Sequence, residues 1–331
     1  LGITKECKCR NIGYSRKIME LAQQIIKGNP TALGKGITLL ESTLAEHEKQ
    51  AQDLITSCLP YSGNSIRIGV TGVPGVGKST FIEVLGKLLT SQGKKVAVLA
   101  IDPTSERTHG SILGDKSRMH ELAADKNAFI RPSPSSGTLG GVANKTRESI
   151  ILCEAAGFEI ILIETVGVGQ SETTVSNLVD FFLLLMLAGA GDELQGIKRG
   201  IMELADALII TKADGDNITN SKNAALDYKR ALQLFPAMEN GWIPQVSTCS
   251  ALENIGVLEI FATINNFDAQ MISSGWKMKN REKQNNYCLH QRIKEELGTK
   301  KYKSLLSEGK FKLLEKELKE GKTIYQIFSS I

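Results

Sequence analysis

Apolar residues recur every three or four positions between Ile18 and Cys58, at Ile18, Leu21, Ala22, Ile25 and Ile26 and again at Ile37, Leu40 and Leu44. That spacing gathers them on one side of a helix. Gly28-Asn29-Pro30 breaks the pattern in the middle, so the segment predicts a helical hairpin. From Ile66 the pattern changes to short apolar runs alternating with amphipathic stretches: Ile66–Val70, Val96–Ile101, Ile160–Ile163, Phe181–Leu187, Leu208–Ile210 and Ile243–Val246. Near-continuous apolar runs are strands buried on both faces, which predicts a mainly parallel sheet with crossover helices on each side.

After about Asp268 the strand signal stops. The tail from Trp276 to Ile331 is rich in Lys and Glu, with apolar residues at Leu289, Ile293, Leu297, Leu305, Leu306, Leu313 and Leu314. This reads as a helical tail whose charges are solvated and whose apolar stripe docks on the body or on a second subunit. The expected organisation is an N-terminal helical extension over 1–62, an α/β domain over 63–270, and a C-terminal helical tail over 271–331 that is a candidate dimerisation arm.

Composition narrows the function classes. The 331 residues are 41% hydrophobic and 23% charged, an ordinary globular balance. A net charge of +4, with cations interleaved among acids, gives no nucleic-acid footprint. The longest apolar run, Leu178 to Ala188, is interrupted by Asp180 and falls well short of the roughly 20 residues that span a bilayer, so neither nucleic acid nor membrane is an expected partner. The six cysteines are scattered apart from Cys7 and Cys9, which predicts reduced thiols and a cytoplasmic protein, or a mitochondrial matrix protein if a leader has been removed.

The chemistry starts where the first strand ends. Gly72-Val73-Pro74-Gly75-Val76-Gly77-Lys78-Ser79 fits the phosphate-loop pattern and runs through Thr80 into a helix with Phe81, Val84, Leu85 and Leu88 on one face. Glycines let the backbone turn its N–H groups inward on a phosphate, Lys78 reaches the β and γ oxygens, and the Ser79 hydroxyl ligates Mg²⁺. A second strand ends in Glu164-Thr165-Val166-Gly167, which puts a carboxylate within reach of the metal and a glycine amide near the γ-phosphate. Asp102-Pro103-Thr104-Ser105 and Gly114-Asp115-Lys116 offer two more carboxylates for metal or water, with Asp102 the leading candidate for orienting the attacking water. The alternative for each aspartate is a helix or turn cap.

Base choice is read from Thr211-Lys212-Ala213-Asp214. A carboxylate at Asp214 accepts the ring N–H and the exocyclic amine of guanine together, a donor pair that adenine lacks. Ser250-Ala251-Leu252 fits the loop closing over the base from the other side. The cofactors expected are therefore GTP or GDP with Mg²⁺, and the catalytic set is Lys78, Asp102 and Glu164.

With these motifs in line, the stretch from about Ile66 to Asp216 resembles the MeaB/ArgK family of P-loop GTPases, in which a glutamate stands in the metal-facing position. The resemblance rests on Gly72–Thr80, Gly110–Lys116, Ile130–Pro134, Gly137–Gly141, Ile163–Glu172 and Gly191–Gly200. It implies a homodimeric GTPase that acts as a chaperone for an adenosylcobalamin-dependent acyl-CoA mutase, usually methylmalonyl-CoA mutase, gating cofactor loading and protecting the enzyme. It also implies that Ser79, Asp102, Asp115 and Glu164 surround the magnesium, and that Lys212, Asp214 and Ser250–Leu252 hold the base. Gly189 to Arg199 would be a loop that reports nucleotide state to the partner. Two departures stand out: Glu106-Arg107-Thr108-His109 where relatives carry smaller residues, and Thr211 in place of the Asn of the commonest base motif. Arg118, Arg131 and Lys198 are candidate cationic helpers, with a purely structural role the favoured reading for each. Competing readings are a metal-insertion GTPase, which needs thiolate or imidazole ligands near the nucleotide, and a kinase acting on a transport protein, which needs an acceptor site.

Overall fold

The computed structural model describes residues 16–102, 119–134, 139–165, 171–189, 199–328 and 331. Within them the strands are β1 (Ile66–Gly72), β2 (Val96–Asp102), β3 (Ala128–Pro134), β4 (Ile160–Thr165), β5 (Phe181–Leu187), β6 (Ala207–Thr211) and β7 (Gln245–Thr248). The helices are α1 (16–26), α2 (Pro30–Glu41), α3 (Ala45–Cys58), α4 (Lys78–Ser91), α5 (His120–Ala123), α6 (Leu139–Ala155), α7 (Ser171–Ser176), α8 (Arg199–Met202), α9 (Ile218–Leu232), α10 (Val257–Ser273), α11 (Trp276–Ser307), α12 (Phe311–Lys319) and α13 (Ile324–Phe328).

The chain divides into two compact units. The sheet unit comprises the described residues within Ile66–Val142 and Ile160–Tyr287, and the helical unit those within Leu1–Ser65, Ala143–Glu159 and Cys288–Ile331.

In the sheet unit the seven strands form one sheet in the order β3-β2-β4-β1-β5-β6-β7, and every pairing is parallel. Strands β4, β5 and β6 are buried along nearly their whole length, as parallel strands covered by helices on both faces must be. Because all strands run the same way, their C-terminal ends share one edge, where an open α/β sheet places its ligand.

The apolar runs predicted six of these strands. They did not predict β3, whose Arg131-Pro132-Ser133-Pro134 interrupts any hydrophobic run. It lies at the sheet edge, where a strand can tolerate proline because one side has no partner to hydrogen-bond. β7 begins two residues later than the run suggests, and Ile243 is exposed.

Helix α4 buries Phe81, Ile82, Leu85 and Leu89 against the sheet. In the same core cluster Phe181, Phe267 and Trp242 make an edge-to-face chain, with ring centroids 5.0 and 5.1 Å apart. At the N-terminal ends of β5 and β6 two buried carboxylates meet different fates. Asp180 accepts from the Arg67 amide and both Nε and NH2 of Arg281; burial pushes its carboxyl up, but the Arg281 bonds and charge outweigh that and hold it below the usual range. Asp206 accepts from the Phe182 amide (2.8 Å), and burial, reinforced by the nearby Asp180 charge, pushes it up to about 7.

In the helical unit the expected hairpin is three helices, because the chain breaks at Ser42–Leu44 as well as at Gly28–Asn29. Asn29 caps α2 by accepting from the Ala32 amide (3.0 Å), with Pro30 at the first helical position. Gly36 is there for space: a Cβ would stand 2.8 Å from Ile25. In the tail, Leu289, Ile293, Leu305 and Leu314 are buried while Leu306 and Leu313 are exposed. Gly298 (φ +74°) kinks α11, a break the Lys/Glu-rich pattern did not show. Across that kink His290 Nδ1 meets the Tyr302 hydroxyl (3.0 Å) and Nε2 meets Glu315 (2.9 Å), with the imidazole stacked on Phe311.

Candidate functional site

β1 ends at Gly72, and the chain turns through Val73–Gly77 into α4. A Cβ at Gly72 would run into the Leu185 carbonyl oxygen on the neighbouring strand, so nothing larger than glycine fits. Gly75 (φ +78°) and Gly77 (φ +99°) take left-handed backbone at the loop tip and at the α4 N-cap. The buried Val76 plugs the loop onto the core, while Pro74, Gly75 and Thr80 face solvent. This leaves the α4 N-terminus open toward the sheet edge, an arrangement that favours a bound anion.

Lys78 points back into the loop. It is 8% exposed, and its ammonium donates to the carbonyls of Gly72 (2.8 Å) and Val73 (3.2 Å). Burial pulls its pKa below the ordinary lysine value, opposed by the charges of Glu164 and then Glu172. Ser79 donates its hydroxyl to Glu164 Oε1 at 3.0 Å. Glu164 is at the end of β4, paired in register with Val70 of β1, and is 8% exposed. One residue on, the buried Thr165 hydroxyl donates to that of Thr71 (2.8 Å), pinning the strand ends that carry Glu164 and the phosphate loop.

A hydroxyl and a carboxylate at contact distance beside a lysine suit Mg²⁺, a hard cation that takes one or two protein oxygens and fills its shell with phosphate and water. Ser79 and Glu164 therefore fit the metal expected from the sequence.

The side expected to hold the base is built from the ends of β6 and β7. The Thr211 hydroxyl is directed at two buried carbonyls, Val76 of the phosphate loop (2.7 Å) and Met186 of β5 (3.1 Å). Thr211 thus ties the base motif to the phosphate loop directly. Lys212 follows with φ +55°, an uncommon conformation for a residue with a side chain, and its carbonyl accepts from Asn217 Nδ2 (2.8 Å). The Ala213 amide donates to the Cys249 carbonyl (3.0 Å), and the Ser250 hydroxyl donates to Asp214 Oδ2 at 2.5 Å. The two loops expected to hold the base are therefore in contact. Ser250 also accepts from the Glu253 amide (3.1 Å), and Gly256 closes the turn where a Cβ would stand 2.6 Å from the Thr248 carbonyl. Thr80, Ala251 and Leu252 share a cleft of about 550 Å³ with Val84 and Leu88, and Leu252 is 82% exposed in it.

Of the predicted site residues, Gly72 to Thr80, Glu164, Lys212, Asp214 and Ser250 to Leu252 all lie at the C-terminal edge of the sheet, at strand ends, in the loops that follow them or in the first turn of α4. Asp102 ends β2 at the same edge. Its side chain, Asp115, Gly167, Arg118, Lys198 and the loop 190–198 lie outside the described residues. Arg131 sits on the edge strand β3, separated from β4 by β2. Sequence reasoning assigned no role to Glu172, Thr71 or Cys249. Glu172 was visible only as the last residue of a matching motif, and single hydroxyls and thiols carry no periodic signal.

A family model described as "Methylmalonyl Co-A mutase-associated GTPase MeaB" matches residues 33–305. The chain belongs to the MeaB family of GTPases. Within that family it is 47% identical over 280 residues to "GTPase ArgK" of Escherichia coli, covering 85% of each protein. It is 46% identical over 290 residues to "Methylmalonic aciduria type A homolog, mitochondrial" of Mus musculus, covering 85% of this chain and 70% of that one. Among solved structures, the crystal structure of a protein named LAO/AO transport system kinase superposes with a TM-score of 0.74 at 40% identity, covering 85% of both chains. This MeaB-family GTPase therefore carries the phosphate loop, the glutamate-ended strand and the loops expected to hold the base on a P-loop NTPase sheet. No helix among the described residues is long and apolar enough to cross a membrane.

Proposed function

We propose that this GTPase hydrolyses Mg²⁺-bound GTP at the Lys78–Ser79–Glu164 site and uses the cycle to act as a chaperone for an adenosylcobalamin-dependent acyl-CoA mutase, methylmalonyl-CoA mutase being the first candidate. The observation that carries the reading is the 3.0 Å contact between Ser79 and Glu164 beside the buried Lys78, an arrangement suited to metal and phosphate in a chain whose family is named for its association with that mutase.

Lys78 and the loop amides receive the β and γ phosphates and stabilise the transferred charge. Ser79 and Glu164, with Asp102 and Asp115 as further ligands, would hold Mg²⁺, which would supply positive charge to offset that of the phosphates. Asp214 takes the guanine edge, Ser250 orients Asp214, and Lys212, Ala251 and Leu252 wall the base. Asp102 or Glu164 positions the attacking water. Turnover is slow until a partner orders the surrounding loops, because no internal arginine is assigned to the transferred phosphate.

The helical ends serve as the partner and dimer surface, a reading supported by the exposed Leu306 and Leu313. The compartment is that of the mutase, bacterial cytoplasm or mitochondrial matrix.

Metal insertion is less well supported. Cys249 is the cysteine beside the base loop, and burial, reinforced by Asp214, pushes its thiol up to about 12, which keeps it protonated and a poor metal ligand. A kinase reading is favoured only by the name of the solved relative; it would show as phosphate transferred from GTP to protein instead of water.

The test is phosphate release from GTP with and without a cofactor-loaded mutase. Stimulation by the mutase, abolished by Lys78→Ala and by Asp214→Asn, is the expected result. Slow hydrolysis that no mutase alters would overturn the partner assignment and leave the GTPase standing.

A further inference from the structure

β4 brings Glu164 to the site and β1 runs into the phosphate loop, so the junction of these two strands decides where Glu164 stands relative to Ser79. Their parallel register ends at Val70↔Glu164. Beyond it each strand keeps its outer neighbour: β1 pairs with β5 as far as Gly72↔Leu185, and β4 pairs with β2 as far as Ile101↔Thr165. At the next step between β1 and β4 the Thr165 hydroxyl donates to the Thr71 hydroxyl, 2.8 Å away. A side-chain bond thus takes over where the ladder between the two strands stops.

This bond lies on the face of the sheet away from α4. Ile68, Val70 and Leu162 share a core cluster with Phe81 and Leu85 of α4, and alternate residues of a strand face opposite ways. Glu164 is two residues beyond Leu162 and so faces α4, in keeping with its contact with Ser79. Thr71 and Thr165 face the other side, where Val175 and Phe182 close on Gly69. Both threonines are fully buried. Each is next in the chain to a residue of the site: Thr165 follows Glu164, and Thr71 precedes Gly72, whose carbonyl accepts from the Lys78 ammonium.

Stability alone gives little reason for the pair. Valine has the shape of threonine and suits a buried strand, and replacing both partners of a buried hydrogen bond by apolar groups of the same shape can be nearly neutral. What the two hydroxyls add is a directional bond of fixed length across the seam.

We propose that Thr71 and Thr165 are positioning residues for the metal: their bond fixes the end of β4 against the end of β1, holds Glu164 at Ser79, and so makes Mg²⁺ and the nucleotide phosphates bind cooperatively. Without the bond the two strand ends move independently, and a phosphate loop set for nucleotide no longer has Glu164 set for metal. The inference rests on the reading of Ser79 and Glu164 as Mg²⁺ ligands.

The test is the affinity of a fluorescent, non-hydrolysable GTP analogue in excess EDTA and across a Mg²⁺ titration. The proteins are the wild type, Thr165→Val, Thr165→Ser, Thr71→Val, the double valine variant and Glu164→Gln. Thr165→Val keeps the shape and removes the bond. It should leave the metal-free affinity within about twofold and raise the Mg²⁺ midpoint by about fivefold or more, the size of a modest coupling between two ligands. Thr165→Ser keeps the hydroxyl and should keep the wild-type midpoint. The double valine variant should match the singles, because the bond is lost only once; shifts that multiply would overturn the coupling. A merely structural role would weaken the analogue alike with and without Mg²⁺, which would also overturn it. Should Thr165→Val not fold, Thr71→Val removes the same bond from the other strand and carries the same expectation. Glu164→Gln separates the two levels. If it raises the Mg²⁺ midpoint and neither valine variant does, the threonine inference is overturned alone; if it leaves the midpoint unchanged, the metal-site reading falls and the inference falls with it.

Discussion

The Thr211 hydroxyl lies 2.7 Å from the Val76 carbonyl, so one bond joins the first residue of the base motif to the hydrophobic plug of the phosphate loop. Read from sequence alone, Thr211 was a departure from the Asn of the commonest base motif. In the fold it does structural work at that position: its short side chain reaches a buried carbonyl that would otherwise go without a side-chain donor. Thr211→Val keeps the shape and removes the hydroxyl, leaving the Val76 and Met186 carbonyls without this donor at a cost of about 1–3 kcal/mol. GDP and GTP affinity should both fall by about tenfold, since the loop is no longer held in its phosphate-ready shape. Equal affinities in a calorimetric titration of the variant and the wild type would show that the bond does not organise the loop.

Asp214, the residue proposed to meet the base, is held by the 2.5 Å bond from Ser250. In the proposed base site its carboxylate would accept the two N–H donors of guanine, and each bond to a charged acceptor contributes about 1.5 kcal/mol or more. Asp214→Asn should therefore weaken GTP by about two orders of magnitude. It should also improve binding of xanthosine triphosphate, whose 2-carbonyl accepts from the new amide. Competition binding with the two nucleotides checks both directions, and a variant that still prefers GTP would remove Asp214 from the base site.

How much of this was legible in the sequence depended on the kind of signal. Strands buried on both faces announce themselves as apolar runs, and the phosphate loop as glycines at fixed spacing, so β1, β2, β4, β5, β6 and the loop from Gly72 to Thr80 could be read directly. β3 could not, because an edge strand need not be apolar along its length and Pro132 and Pro134 argue against it. The break at Ser42–Leu44 and the kink at Gly298 escaped for a related reason: a hydrophobic stripe continues across a short interruption in the helix. In the site, Lys78, Glu164, Asp214 and Ser250 were legible because each sits in a spaced motif. Thr71 acquires its place from the pairing of β1 with β4, and Thr211 from the approach of β6 to the phosphate loop, both distant in sequence.

Asp206 gives the fold a pH signature. Its carboxyl sits at about 7 in the fold against about 3.9 in an unfolded chain, so between those values the folded state binds more protons than the unfolded one. Stability from this group is complete below about pH 4 and is lost as the pH rises toward 7, by up to about 4 kcal/mol. Asp206→Asn keeps an acceptor for the Phe182 amide and abolishes the titration. Denaturant unfolding at pH 5, 6 and 7.5 should show the variant gaining on the wild type as the pH rises. A constant difference between them would mean that Asp206 is ionised throughout.

The claim beneath all of this is that GTP is hydrolysed where Ser79 and Glu164 meet beside Lys78. The most direct test is single-turnover phosphate release from Mg²⁺-GTP by the wild type, Lys78→Ala and Glu164→Gln, each shown by circular dichroism to be folded. Both substitutions should slow release by about a hundredfold or more, Lys78→Ala with weakened GTP binding and Glu164→Gln with a raised Mg²⁺ requirement. Wild-type rates in either folded variant would place the chemistry elsewhere in the molecule.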